Sequence, residues 1–129
     1  MAPISVTIER EHPSIGIITL VGEHDAYSAG RIANEIEVLL DTGLPVVIDL
    51  TEATFVDSQT LSTLLSARHQ AHAANLGFTL VLPDDRFTQV HRILRMTGLA
   101  SWFATYPSMT EARDAARAGH TSGGRLKVA

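Results

Sequence analysis

A chain of 129 residues with 45% hydrophobic and 19% charged content carries enough apolar material for one self-sufficient core and too much for a disordered segment. A net charge of -4 and a sequence pI near 5.8 leave no basic footprint, so direct binding of DNA or RNA is not expected. Cysteine is absent, which excludes disulfide scaffolds, thiolate zinc sites and cysteine nucleophiles together and suits a reducing compartment.

With one Trp, two Tyr and four Phe, the core must be built mainly from aliphatic side chains. No apolar run approaches the ~20 residues that cross a bilayer; Ile15 to Val21 is the longest near the start. Met1-Ala2-Pro3-Ile4 has no basic stretch leading into an apolar one, so no secretory signal is expected. A cytoplasmic protein without membrane contact is the expectation.

Ile4-Ser5-Val6-Thr7-Ile8 alternates apolar and polar β-formers, the pattern of a half-exposed strand. His12-Pro13-Ser14 reads as a turn, and Ile15 to Val21 as a second strand, so the two form an antiparallel hairpin that Gly22 ends. From Asp25 the period changes. Ala29, Ile32, Ala33, Ile36, Leu39 and Leu40 recur at helical spacing, and Gly43 and Pro45 stop the helix. Pro45 to Leu50 is apolar almost throughout, as expected of a strand buried on both faces.

A second helix opens at Asp57 or Ser58, turns Leu61, Leu64, Leu65 and Ala71 or His72 inward, and ends near Asn75-Leu76-Gly77. Phe78 to Leu82 is another buried strand. Arg86 to Met96 predicts a third helix with Phe87, Val90, Ile93 and Leu94 inward. Trp102 to Tyr106 fits a short strand, and Ser108 or Thr110 starts a last helix with Ala112, Ala115 and Ala116 packing. The order β-β-α-β-α-β-α-β-α predicts an α/β domain over residues 1–118, with four helices on a mixed sheet that begins in a hairpin. Gly119 to Ala129, Gly-rich and aperiodic, is expected to be a flexible tail.

The stretch with most chemical content is Val46 to Leu65, where a buried strand and a short connection deliver Asp57-Ser58 onto a helix start. Asp57 suits an N-cap. Ser58 is then either a tolerated first-turn residue or a phosphoacceptor held at the positive end of a helix. Glu23-His24-Asp25 invites a metal or acid/base reading, but no second ligand set accompanies it, and a solvated loop that meets a partner fits better. His69 and His72 lie one turn apart without the intervening Glu of a zinc helix, and are expected to be ordinary helix residues. Asp84-Asp85-Arg86 reads as a capped turn, and Arg92 and Arg95 as a solvated face. Neither a phosphate-binding glycine loop nor a nucleophile elbow occurs, so no enzyme, cofactor or metal is expected.

Val47-Ile48-Asp49-Leu50, then Phe55, then Val56-Asp57-Ser58 opening a Leu-bearing helix, resembles the STAS domain of bacterial anti-sigma factor antagonists. Gly22-Glu23-His24-Asp25 is similar to the family's Gly-Glu-Leu-Asp element, and Met96-Thr97-Gly98-Leu99 to its Ser-Gly-Leu; the resemblance runs over residues 4 to 117. It implies a non-enzymatic switch. The unphosphorylated antagonist binds an anti-sigma factor, often itself a serine kinase, and frees a sigma factor. Phosphorylation of the serine after Asp breaks the complex, and a PP2C-type phosphatase restores it. By position the resemblance implies Ser58 as phosphoacceptor, and Gly22, Glu23, Asp25, Asp57, Ser58, Gln59 and Thr60 as the partner-binding surface. Many members continue from the serine with Ser or Thr and then Gly, whereas here Gln59-Thr60 follows. That departure leaves open a phosphorylation-independent STAS adaptor in a signalling or transport assembly, and modification of Thr60 instead.

Overall fold

The computed structural model describes residues 3–11 and 13–122. His12 of the expected turn, the first two residues and residues 123–129 of the expected tail lie outside the described residues. The elements are β1 (Ile4–Glu9), β2 (Ile15–Leu20), β3 (Gly22–His24), α1 (Ala26–Asp41), β4 (Val46–Asp49), β5 (Ala53–Val56), α2 (Ser58–Ala73), β6 (Phe78–Val81), α3 (Gln89–Thr97), a 3-10 turn (Leu99–Ser101), β7 (Ala104–Tyr106) and α4 (Met109–Arg117).

All five strands expected from the sequence join one sheet in the order β1-β2-β4-β6-β7. β1 and β2 pair antiparallel as the predicted hairpin, with Val6 opposite Ile18, and the remaining neighbours are parallel. The α/β class, the mixed sheet and the four helices are therefore as read. Alternation along the central strands divides the apolar side chains between two layers. Ile18, Ile48 and Leu80 pack in one cluster with Ile32 and Ile36 of α1, Leu61 and Leu64 of α2 and Leu94 of α3. Ile17, Val47 and Val81 pack in a second cluster with Ala112, Ala115 and Ala116 of α4. Because the buried residues of α4 are all alanines, it lies close to the sheet. Gly77 permits the closest approach: a Cβ built on it would come within 2.0 Å of the Ala116 carbonyl oxygen. Glu9 reaches across to α4, pairing with Arg113 at 2.9 Å and Arg117 at 3.1 Å.

Several details differ from the expectation. Ala33 is exposed, and Ala71 rather than His72 turns inward on α2. The third helix starts at Gln89, not Arg86, because the Asp85 carboxylate accepts the Phe87 N–H at 2.9 Å in a local turn and Thr88 supplies the cap. Phe87, expected inward, is 87% exposed in consequence. Past Ala118 the chain is still held against the domain. The Phe78 N–H donates to the His120 carbonyl at 2.8 Å, and Arg68 Nε donates to that of Thr121 at 2.8 Å. No helix among the described residues is long and apolar enough to cross a membrane.

Candidate functional site

Two short strands at positions expected to be connections, β3 and β5, form a separate parallel pair in which His24 lies opposite Val56. Each runs into an aspartate and then a helix. After β3, Asp25 caps α1 by accepting the Tyr27 N–H at 3.0 Å; after β5, Asp57 caps α2 by accepting the Thr60 N–H at 2.8 Å. The same strand–aspartate–helix construction thus occurs twice side by side, and two helix N-termini open at one end of the molecule. Gly22 enters β3 with φ near +81°, a conformation open to glycine, and its N–H donates to the Glu52 carbonyl at 3.0 Å.

Ser58 is the first residue of α2 and is exposed, as is Gln59 beside it. No described residue hydrogen-bonds its hydroxyl. Asp57 is half-buried, and its carboxylate is engaged in the cap. A group added to the Ser58 hydroxyl would meet solvent and the positive end of a helix, at the end of the β3–β5 pair where β3 carries the exposed Glu23 and leads into the exposed Asp25.

Thr60 departs from the expected partner-binding surface. Its side chain is fully buried, and its Oγ1 donates to the His24 carbonyl at 3.1 Å, the same oxygen that accepts the Asp57 N–H at 3.1 Å. The threonine is thus a fastener that joins α2 to β3. Burial also removes it as a modification site. Thr60→Val keeps the shape and deletes that donor, so the urea midpoint should fall by an amount equal to about 1 kcal/mol, while Thr60→Ser should recover most of it.

His24 is corrected as well. It is fully buried, not part of a solvated loop. Its Nε2–H donates to the Val21 carbonyl at 3.0 Å, which leaves Nδ1 of the neutral ring an acceptor 3.1 Å from the Ser28 hydroxyl, whose one proton is shared with the Asp25 carbonyl at 3.2 Å. Burial holds its pKa below the ordinary 6.5, against weaker opposing pulls from the Val21 hydrogen bond and the Asp25 carboxylate. The native ring therefore resists a proton that the unfolded chain accepts. His24 should weaken the fold as pH drops below 6.5, until the native ring itself titrates, with no penalty above that range. Urea unfolding between pH 7.5 and 5 should show a steeper loss for the natural chain than for His24→Gln; parallel curves would contradict the assignment.

Gln89 was not singled out from the sequence. Its carboxamide accepts the Val56 N–H at 2.9 Å and donates to the Val56 carbonyl at 2.8 Å, tying the start of α3 to the strand end that precedes Asp57. Only the late start of α3, set by Thr88, brings it into position, and no local sequence signal marks that. His69 and His72 are helix residues bonded to Arg68 and Thr121. No metal-binding cluster of His, Cys, Asp or Glu occurs among the described residues.

The family model of the STAS domain matches residues 8–112. The chain is a STAS domain of the anti-sigma factor antagonist family. The domain is 32% identical over 99 residues to an anti-sigma-B factor antagonist of Listeria monocytogenes, a match covering 75% of this chain and 83% of that one. Among solved structures, an anti-sigma factor antagonist from Mycobacterium paratuberculosis superposes with a TM-score of 0.70 at 25% identity, over 89% of this chain and 95% of the other. The Bacillus cell fate determinant SpoIIAA in its phosphorylated form shares the fold, with a TM-score of 0.62 at 20% identity over 85% and 97% of the two chains.

Proposed function

We propose that this STAS domain is a cytoplasmic partner-switching protein: unmodified, it binds an anti-sigma factor and releases a sigma factor, and phosphorylation of Ser58 ends the complex. The observation that carries the reading is the free, exposed Ser58 hydroxyl at the first turn of α2, beside a capping aspartate and a second helix N-terminus. The partner is an anti-sigma factor with serine-kinase activity, and a PP2C-type phosphatase resets the switch. Gly22, Glu23, Asp25, Asp57 and Gln59 surround Ser58 as the docking surface, while Thr60 and Gln89 position it from below.

The mechanism is electrostatic. A phosphate adds a charge of about -1.5 to -2 at the helix start, where the dipole tolerates it, so the fold survives. The same charge stands among Glu23, Asp25 and Asp57 and removes complementarity with a partner shaped to the unmodified face. The domain does no chemistry of its own in this reading.

The test combines the domain with its host's anti-sigma kinase and ATP. Intact mass should show one added phosphate, fragmentation should place it on Ser58, and the modified protein should no longer co-elute with the kinase. Binding that persists without any phosphate transfer would instead support the phosphorylation-independent adaptor.

A further inference from the structure

Away from Ser58 the molecule carries a cleft with both apolar walls and free charged groups. At the carboxyl ends of β6 and β7, beneath α3 and the 3-10 turn, a cleft of about 440 Å³ opens, within the range of small-molecule sites. Parallel sheets commonly receive ligands at that end of their strands. Its walls include Leu82, Leu94 and Ala100, and its charged groups are Arg86, Arg95 and Asp84, which leave the lining positive by one. Among the described residues neither guanidinium has an ion-pair or hydrogen-bond partner.

The floor holds an independent sign. Thr105 on β7 lies opposite Leu80, on the α3 side of the sheet, and is only 3% exposed. It lines the cleft, and its hydroxyl has no partner among the described residues. A hydroxyl that opens onto the cleft without a partner in the domain, beside two free guanidiniums, sets three donor groups around one space that an acceptor can enter. His91 shares the wall but is occupied, with Nε2 donating to the Pro83 carbonyl at 2.8 Å.

We propose that this cleft binds a small organic monocarboxylate, its carboxylate held by Arg86 and Arg95, its apolar body against Leu82, Leu94 and Ala100, with Thr105 donating from the floor. The single net positive charge favours a monoanion, and the apolar walls favour an aliphatic or aromatic body over a bare inorganic anion. The site is separate from Ser58 and stands whether or not that residue is phosphorylated.

The test is an amide-resonance titration of the full chain with octanoate and with benzoate, and with octanol as the neutral control. Binding of either acid should be saturable, with shifts centred on Leu82, Leu94, Ala100 and Thr105, and octanol should bind at least about tenfold more weakly. The double variant Arg86→Gln, Arg95→Gln should lose about tenfold or more in affinity for the acid. Both positions are exposed, so its thermal midpoint should hold. Thr105→Val should weaken the acid several-fold. No saturable shift with either acid, shifts centred elsewhere, equal affinity for octanol, or an unaltered double variant would each overturn the proposal.

Discussion

Ser58→Asp should bind the anti-sigma partner on the order of 100-fold more weakly than the natural protein, a difference of about 2.7 kcal/mol, while Ser58→Ala should stay within a few-fold. The alanine removes a hydroxyl that no described residue engages, so nothing in the domain is left unpaired. The aspartate places a charge next to the half-buried Asp57, on the face that carries the exposed Glu23 and Asp25. Folding moves the other way: a carboxylate in the first turn of α2 gains about 0.3–1 kcal/mol from the helix dipole. The two effects separate. Calorimetric titration should show lost binding in a variant whose thermal midpoint is equal or higher, and phosphoserine should exceed aspartate because it carries more charge. Equal affinity of all three proteins would remove the switch from Ser58.

Gly77→Ala should be among the most damaging single substitutions in this chain. The added methyl would sit 2.0 Å from the Ala116 carbonyl oxygen and 2.7 Å from its carbonyl carbon and Cα. All three are backbone atoms, so no rotamer change relieves the clash, and α4 must lift from the sheet. Overpacking of this kind reaches or passes the upper end of the usual ~1–3 kcal/mol, and thermal unfolding should drop by about 10 °C or leave little folded protein. Gly30→Ala is the matched control. That glycine lies exposed on α1 with open space where its Cβ would stand, so the same change there should stabilise by about 0.5–1 kcal/mol. Similar midpoints for the two variants would refute the account of α4 packing.

Periodicity made the main sheet and the helices legible because both depend on long runs that face one way. Ile32, Ile36 and Leu39 repeat at helical steps, and Val46-Val47-Ile48 is apolar on both faces. The β3–β5 pair escaped because each strand is three or four residues long and is held by main-chain bonds rather than by a pattern. Asp57-Ser58 was readable as a cap and an exposed neighbour, since helix starts follow local rules. The supports under it were not. The Thr60 bond to His24 spans 36 positions and the Gln89 bonds to Val56 span 33, distances at which no local rule operates. Phe87 shows the opposite failure, a residue with helical spacing that a capped turn left outside.

The Gln89 carboxamide fills both main-chain valences of Val56 on its open side. Val56 therefore offers a visiting protein no free main-chain group on that side, and recognition at this residue falls to the side chains that protrude around it. A docking mode of that kind is undone by one new charge, whereas a zipped backbone would tolerate it.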